Sequence, residues 1–185
     1  MKTIKVGLMW YPVTALGYGR RIGVWFQGCR KRCGNCISPE FQPREGGLNR
    51  TAKEILDIAG KEAKVDGLTV SGGEPFDQPE GLLELVKEYK KRVNGDILVF
   101  TGYTLDELRG QGSSAIEEIL DNIAVLVDGA YVEEENNGIG LRGSGNQRIY
   151  VRNYGERYAG AESAVRNMQC VLMEDRLWMI GIPPK

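Results

Sequence analysis

Hydrophobic positions along the chain alternate between two periodicities. Short apolar runs predict buried strands at residues 21–27, 67–71, 96–101 and 123–128. Apolar residues at helical spacing predict two longer helices, over residues 51–64 and 79–92. Ser or Thr followed three residues later by Glu is the capping-box pattern, and it predicts helix starts at Thr51, Thr104 and Ser114.

Strands that alternate with helices predict an α/β fold with a parallel sheet and right-handed crossovers. A closed eight-stranded barrel takes roughly 250 residues, and this chain has 185. We therefore expect a partial (β/α) barrel that is open on one side. A loop at residues 133–145 ends the alternation, and strands follow at 148–151 and at 169–182, the latter as a hairpin turning at Glu174–Asp175. With no repeat or linker, residues 1–185 are predicted to form one domain with a C-terminal extension at about 152–185.

Composition removes several classes of chemistry. The chain contains no histidine, which excludes Ser-His-Asp and Cys-His catalysis and imidazole metal sites. A net charge of −1 gives no general attraction to nucleic acid or to acidic membranes. No apolar stretch approaches the roughly 18 residues of a membrane helix, and the first residues are too polar for a signal peptide. We expect a cytoplasmic protein, where clustered cysteines indicate a metal or a catalytic site rather than disulfides.

Cys29, Cys33 and Cys36 form a C-x3-C-x2-C cluster directly after the strand predicted at 21–27. Thiolates select zinc, Cu(I) or iron–sulfur clusters, and structural zinc and ferredoxin clusters each use four protein ligands. Three thiolates would leave one iron of a cubane open to substrate. The alternatives are a structural metal completed by Cys170 and a chance grouping. Cys170 lies in an apolar strand and is predicted to be a buried small hydrophobic residue.

Gly72, Gly73 and Glu74 follow the next predicted strand. Two glycines allow the backbone to approach a ligand closely, and the Glu74 carboxylate can accept hydrogen bonds from an ammonium group. A plain turn with a solvated Glu is the alternative. Because carboxyl ends of parallel strands meet at one edge of a sheet, this segment is expected near the cysteines.

The cysteine motif and the Gly-Gly-Glu segment together resemble the radical S-adenosylmethionine (SAM) superfamily. The resemblance implies that the three cysteines hold a [4Fe–4S] cluster, whose fourth iron binds the amino and carboxylate groups of SAM. It also implies that Gly72, Gly73 and Glu74 bind the methionine end. Further segments are similar to glycyl radical enzyme activases that act on anaerobic ribonucleotide reductase, at residues 100–108, 125–129 and 141–147. The likeness runs from about residue 17 to residue 148.

The same resemblance implies a reaction and further site residues. One electron from the cluster cleaves SAM to methionine and a 5′-deoxyadenosyl radical, which takes a hydrogen atom from a glycine of the partner enzyme. Thr101 and Asp128 follow two predicted strands and are candidates for the ribose hydroxyls, with Ser144 and Asn146 as further candidates. Many members carry an aromatic residue before the third cysteine that packs on the adenine, and here that residue is Asn35.

Partners follow from the same reasoning. Residues 1–39 carry seven Lys and Arg and no Asp or Glu, and Arg30, Lys31 and Arg32 lie between two of the cysteines. We interpret these three as a docking patch for an acidic flavodoxin- or ferredoxin-type electron donor, with a solvated face or an anchor for the partner enzyme as alternatives. The substrate is expected to be a glycyl radical enzyme. The expected one is anaerobic ribonucleotide reductase, and the alternative substrates are another glycyl radical enzyme, a peptide or a small molecule. A metal-stabilised binding or electron-transfer module without SAM turnover is the competing function.

Overall fold

The structure is a computed structural model that describes residues 2–61, 63–173 and 175–185. Seven of its strands form one sheet: β1 (Thr3–Val13), β2 (Arg21–Phe26), β3 (Leu48–Thr51), β4 (Gly67–Gly72), β5 (Asp96–Phe100), β6 (Val125–Asp128) and β7 (Arg148–Val151). Two more form a hairpin: β8 (Met168–Met173) and β9 (Arg176–Gly181). The helices are α1 (Ala52–Asp57), α2 (Pro79–Arg92), α3 (Leu105–Gly110), α4 (Ser114–Asn122) and α5 (Gly155–Tyr158).

The large sheet is mixed, with the strand order β3-β1-β2-β4-β5-β6-β7. Strands β2, β4, β5 and β6 run parallel to one another, which confirms the predicted α/β class and the four predicted central strands. Antiparallel strands flank them, β1 and β3 on one side and β7 on the other. Within the described part of the chain, no helix combines the length and apolar character needed to cross a bilayer.

The two faces of the sheet are covered by different parts of the chain. Successive side chains of a strand point to opposite faces, so Ile97 and Val99 of β5 pack under the helices whereas Leu98 packs on the other side. Helices α1 to α4 cover the first face. Residues 152–185, which we call the C-terminal segment, cover the second face with buried side chains such as Tyr158 and Ile180.

Local signals in the sequence predict helix starts better than helix ends. Both halves of the capping box form at Thr51 and at Thr104. The box predicted at Ser114 is wrong, because Ser113 is the N-cap of α4 and makes no side-chain cap bond. Helix α1 ends at Asp57 rather than near residue 64, and the chain turns at Gly60 with a positive φ of 74°.

The predicted C-terminal hairpin is confirmed as β8 and β9, although Glu174 of its predicted turn lies outside the described residues.

A buried ionic network ties the sheet to the C-terminal segment. Arg21 of β2 and Asp96 of β5 form an ion pair at 2.6 Å between side chains with no solvent exposure. The Arg21 guanidinium also donates to the Thr69 hydroxyl at 2.6 Å. On the other side, Tyr158 and Arg157 donate to the Asp96 carboxylate at 2.7 and 2.9 Å. The buried Asp96 charge is therefore matched by two guanidinium groups, of which that of Arg21 is fully buried, and by one hydroxyl.

Candidate functional site

The three cysteines lie on the loop that follows β2, and backbone bonds fix this loop to the next segment of chain. Gly28 N–H donates to the Phe41 carbonyl at 2.8 Å, and Cys29 N–H donates to the Gln42 carbonyl at 3.0 Å. All three thiols are half-buried. Burial raises the pKa of the Cys29 thiol above its usual value, while hydrogen bonds from the backbone partly oppose the shift. A thiolate at this position therefore gains from a cationic ligand, as a metal site provides.

One open cavity of about 140 Å³ contains these cysteines and lies at the carboxyl ends of the parallel strands. Seven of the predicted site residues line it: Cys29, Cys33, Cys36, Gly72, Gly73, Glu74 and Thr101. The expected meeting of the cysteine loop and the Gly-Gly-Glu segment at one sheet edge is therefore observed.

Close packing between the two loops requires the glycines. Gly72 has a φ of +105°, and a Cβ atom there would collide with the backbone of Phe26. A Cβ atom on Gly73 would collide with the Gly28 carbonyl directly before Cys29. Hydrogen bonds from Gly73 N–H to the Phe26 carbonyl and from Glu74 N–H to the Gly28 carbonyl, each 2.8 Å, hold this contact. The glycines thus place the Glu74 segment against the cysteine loop.

Glu74 is a buried carboxylate, 1% exposed, that lines the cavity. It accepts hydrogen bonds from Phe76 N–H at 2.9 Å, Thr101 Oγ1 at 2.8 Å and Gly102 N–H at 2.8 Å. Burial raises the pKa of Glu74 to about 7 against the opposing effect of these hydrogen bonds. Among the described residues, no Lys or Arg forms an ion pair with it. A buried carboxylate held in place by three donors and lacking a cation suits a positively charged ligand group.

Thr101 lies at the cavity, but its hydroxyl is already engaged. It donates to Glu74 and accepts from Tyr103 N–H at 3.1 Å. This arrangement orients the Glu74 carboxylate and leaves the hydroxyl little capacity for a ribose.

The three remaining candidates for the ribose do not line the cavity. Asp128 is buried and accepts from Leu105 N–H at 2.6 Å and from Arg148 N–H at 3.3 Å, so it caps the start of α3 and braces β7. Ser144 Oγ accepts from Val132 N–H at 3.1 Å. The Asn146 amide donates to the Ala130 carbonyl at 2.8 Å. Each of these side chains satisfies a backbone group instead of facing the cavity.

Residues that the sequence analysis did not select complete the cavity wall. Gln147 lines it, and its side-chain oxygen accepts from Gly143 N–H at 2.7 Å. Tyr131 also lines it. From the C-terminal segment, Gly181 and Ile182 reach the same cavity. The similarity of residues 141–147 to activases could have pointed to Gln147, whereas no local pattern marks Gly181 or Ile182.

The basic residues between the cysteines differ in their surroundings. Lys31 lines the cavity, binds Glu107 at 2.8 and 2.9 Å and lies 4.4 Å from the centre of the Tyr103 ring. Lys31 is therefore less accessible to a docking partner than the prediction of a three-residue patch assumes, because its ammonium group is paired with Glu107. Arg30 is 63% exposed and lies 3.7 Å from Asp77, and Arg32 is also exposed. Only these two remain available to a partner from outside.

The prediction that Cys170 is buried is wrong. It is exposed on β8, paired across the hairpin with Met179.

Within the described residues, no three His, Cys, Asp or Glu side chains converge as the ligands of a single ion do. A cubane differs in this respect, because its irons occupy separate corners and their thiolate ligands need not meet at a point. Three half-buried thiols around a shared cavity, beside a carboxylate without a cation, fit a [4Fe–4S] cluster with a cationic ligand.

Comparison with known proteins agrees with this chemistry. Residues 15–150 match the family model of the 4Fe-4S single cluster domain. An anaerobic ribonucleoside-triphosphate reductase-activating protein of Haemophilus influenzae is 33% identical over 77% of this chain and 96% of its own length. The corresponding Escherichia coli K12 protein is 33% identical over 76% of this chain and 95% of its own length.

A pyruvate formate-lyase-activating enzyme of Clostridium pasteurianum is 32% identical over 75% of this chain, although the match covers 59% of that enzyme. The resemblance to activases that the cysteine and Gly-Gly-Glu motifs indicate is confirmed by these matches. The chain belongs to the 4Fe-4S single cluster domain family, the family of these activating proteins.

Proposed function

We propose that this protein installs a glycyl radical on a partner enzyme, with anaerobic ribonucleotide reductase as that partner. The cavity lining carries the proposal: three half-buried thiols line one space together with a buried carboxylate that pairs with no Lys or Arg in the described part of the chain. Relatives that cover nearly their whole length are named for activation of that reductase. The match to a pyruvate formate-lyase-activating enzyme makes another glycyl radical enzyme the second candidate substrate.

The cofactors are a [4Fe–4S] cluster and SAM, which supply when bound the one-electron chemistry that forms a carbon radical able to take hydrogen from glycine. In our proposal Cys29, Cys33 and Cys36 hold the cluster. Glu74 binds the ammonium group of SAM, and Gly72 and Gly73 let the backbone approach its methionine end.

In this proposal, the remaining predicted residues position other parts of the site and do not bind SAM themselves. Thr101 fixes the orientation of the Glu74 carboxylate by its 2.8 Å hydrogen bond, which makes it a positioning residue. Asp128 holds the start of α3. Ser144 and Asn146 hold the loop that carries Gln147. Their contacts favour shaping of the cavity over direct binding of the ribose.

We also propose that the sheet is the partial, laterally open (β/α) barrel of the radical SAM type, within one domain spanning residues 1–185. Four parallel strands with helices on one face support this, and the antiparallel flanking strands leave the sheet unclosed. A cytoplasmic setting is part of the proposal, because thiols stay reduced there.

Glu74→Gln tests the ammonium assignment. The amide keeps the size of the side chain but removes the charge that faces SAM, and losing one charge-assisted hydrogen bond costs about 1.5–3 kcal/mol, or roughly 10–150-fold in affinity. We expect calorimetry on the anaerobically reconstituted protein to show this loss with an unchanged iron content. Glu80→Gln on the exposed start of α2 is the matched control. An unchanged SAM affinity in Glu74→Gln would show that another group binds the ammonium.

The raised pKa of Glu74 predicts a pH dependence of SAM binding. A carboxyl group with a pKa of about 7 is neutral below that pH and charged above it, so affinity is gained as pH rises. We expect SAM to bind about tenfold more weakly at about pH 6 than at about pH 8. The SAM affinity of the Glu74→Gln variant should not change in this way between the two pH values. An equal change in wild type and variant would mean that a group other than Glu74 causes the pH dependence.

The electron donor that we propose is an acidic flavodoxin- or ferredoxin-type protein that docks at Arg30 and Arg32. Both side chains are exposed next to the cysteines, and steering by exposed charges is screened by salt over about 10 Å at 0.1 M. Changing both to Gln should slow flavodoxin-driven SAM cleavage and flatten its salt dependence, while dithionite-driven cleavage stays unchanged. Lys53→Gln with Lys91→Gln, on exposed positions of α1 and α2, is the control pair. An equal fall in the rate of SAM cleavage with both reductants would mean that these arginines help to keep the cluster intact instead of docking the donor.

A further inference from the structure

We propose that the C-terminal segment forms the wall of the cavity against which the adenine base of SAM packs, and that Arg166 is the positioning residue for this wall. The inference deepens the proposed function and rests on SAM as the ligand of the cavity. It concerns residues beyond 150, where the match to the family model ends.

The C-terminal segment reaches the same space as the cysteines. Gly181 at the end of β9 and the adjacent Ile182 line the cavity together with Trp25 and Leu16. The Ile182 side chain is 7% exposed and belongs to the core on the second face of the sheet. Because β9 is hydrogen-bonded along its length to β8, this part of the wall is held by regular secondary structure.

The cavity lining contains both polar and apolar side chains. The buried Glu74 carboxyl group suits the ammonium group of SAM. Leu16, Trp25 and Ile182 contribute apolar surface, and of these three Ile182 belongs to the C-terminal segment. Adenine is a flat ring system with apolar faces, so burial against these side chains is favourable, while a charged group there would lose its hydration. The base is therefore assigned to the Ile182 part of the wall.

Arg166 holds this wall in place from behind. Its guanidinium is buried, at 8% exposure for the residue, and in the described part of the chain it forms no ion pair with a carboxylate. Instead its five N–H groups are shared among six oxygen atoms at 2.7–3.4 Å, namely Asn136 Oδ1 and the carbonyl oxygens of Ile139, Gly140, Arg142, Gly143 and Pro183.

These acceptors lie on two separate segments that both reach the cavity. Gly143 lines the cavity itself, and Pro183 directly follows Ile182. One guanidinium thus joins the loop at residues 133–145 to the end of β9. Without it, several buried carbonyl groups lose their donor, and leaving such groups unpaired is unfavourable. The two segments would then lose this link, and Ile182, which follows the last residue of β9, would be positioned less precisely.

Two variants test the inference on the reconstituted protein. Ile182→Ala shortens the wall without touching the Arg166 network, and Arg166→Met removes the donors while keeping a long side chain. For both we expect SAM affinity to fall about 5–20-fold by calorimetry, in line with the loss of a few buried methylene groups or of their positioning. Iron content should stay at the wild-type level. Arg166→Lys keeps the charge but has fewer hydrogen-bond donors. Its SAM affinity should lie between those of wild type and Arg166→Met.

Fragments of the cofactor locate the effect. Binding of 5′-deoxyadenosine should weaken in Ile182→Ala by about the same factor as binding of SAM, whereas methionine binding should stay unchanged. Leu172→Ala is the matched control, because this leucine is 70% exposed on the outer face of the same hairpin, and it should bind both fragments normally.

The outcomes separate this inference from the proposed function. If wild type binds and cleaves SAM but Ile182→Ala binds 5′-deoxyadenosine normally, the wall assignment is overturned and the proposed function stands. If methionine binding weakens as much as 5′-deoxyadenosine binding, the base does not pack on Ile182. If wild type itself binds no SAM, both fail. Should Arg166→Met not fold, Ile182→Ala alone decides.

Discussion

Replacement of Cys29, Cys33 or Cys36 by Ala will each abolish the iron–sulfur cluster, whereas Cys170→Ala will retain it. The first three thiols line one cavity, while Cys170 is exposed on β8. Because a cubane held by three thiolates has no spare protein ligand, the loss of any one exposes a second iron. We expect wild type and Cys170→Ala to contain about four irons and four sulfides per chain after anaerobic reconstitution, and each of the other variants to contain almost none.

Iron and sulfide assays with absorption spectra measure this result, and circular dichroism shows whether each variant keeps its fold. A loss of iron in Cys170→Ala would make that residue a fourth ligand. The cluster would then have no open iron for SAM, and the activase chemistry would lose its basis. Normal iron content in any single variant of the other three would equally contradict the ligand assignment.

Arg21→Met will destabilise the protein more than any surface ion-pair substitution. Removing the guanidinium leaves Asp96 without its closest cation in a region with no solvent exposure, and breaking a buried pair by removing one partner costs about 3–5 kcal/mol. Arg157 and Tyr158 still contact Asp96, so we expect a loss of about 3 kcal/mol, at the lower end of that range. Urea unfolding at fixed cofactor loading gives the free energy of unfolding.

Arg92→Met is the matched control for that experiment. Arg92 forms two ion pairs on the helical surface, with Asp57 and Glu88, and exposed pairs contribute only about 0–1 kcal/mol. Adding Asp96→Leu to Arg21→Met should restore part of the loss, since the unpaired charge is removed. Equal effects of Arg21→Met and Arg92→Met would mean that water reaches the Asp96 site.

The position of the site could be predicted because it depends on neighbouring parallel strands. Strands β2 and β4 are short segments rich in apolar residues, which indicate buried strands, and they pair in parallel with Phe26 opposite Gly72. This register brings the residues after each strand to the same edge. The cysteine loop and Glu74 therefore meet, as the alternation of strands and helices predicts.

Other features depend on contacts that a local pattern does not encode. Strand β1 alternates buried and half-exposed residues and pairs antiparallel with β2, so its apolar signal is weak. Asp128 lies at a strand end, where a ligand-binding residue is expected. Its carboxylate instead accepts hydrogen bonds from backbone N–H groups of α3 and β7. Ile182 reaches the cavity only because the C-terminal segment folds back across the sheet. Such contacts between residues far apart in the sequence produce no local pattern from which they could be predicted.

The most direct test of the central claim is electron paramagnetic resonance of the partner enzyme. The reconstituted protein, reduced with dithionite, is mixed anaerobically with SAM and with an anaerobic ribonucleotide reductase from the same source, and the radical is quantified beside the 5′-deoxyadenosine formed. We predict a glycyl radical signal on the reductase, about one 5′-deoxyadenosine per radical, and neither product with Cys33→Ala. SAM cleavage without a radical on the reductase or on another glycyl radical enzyme would contradict the proposed function.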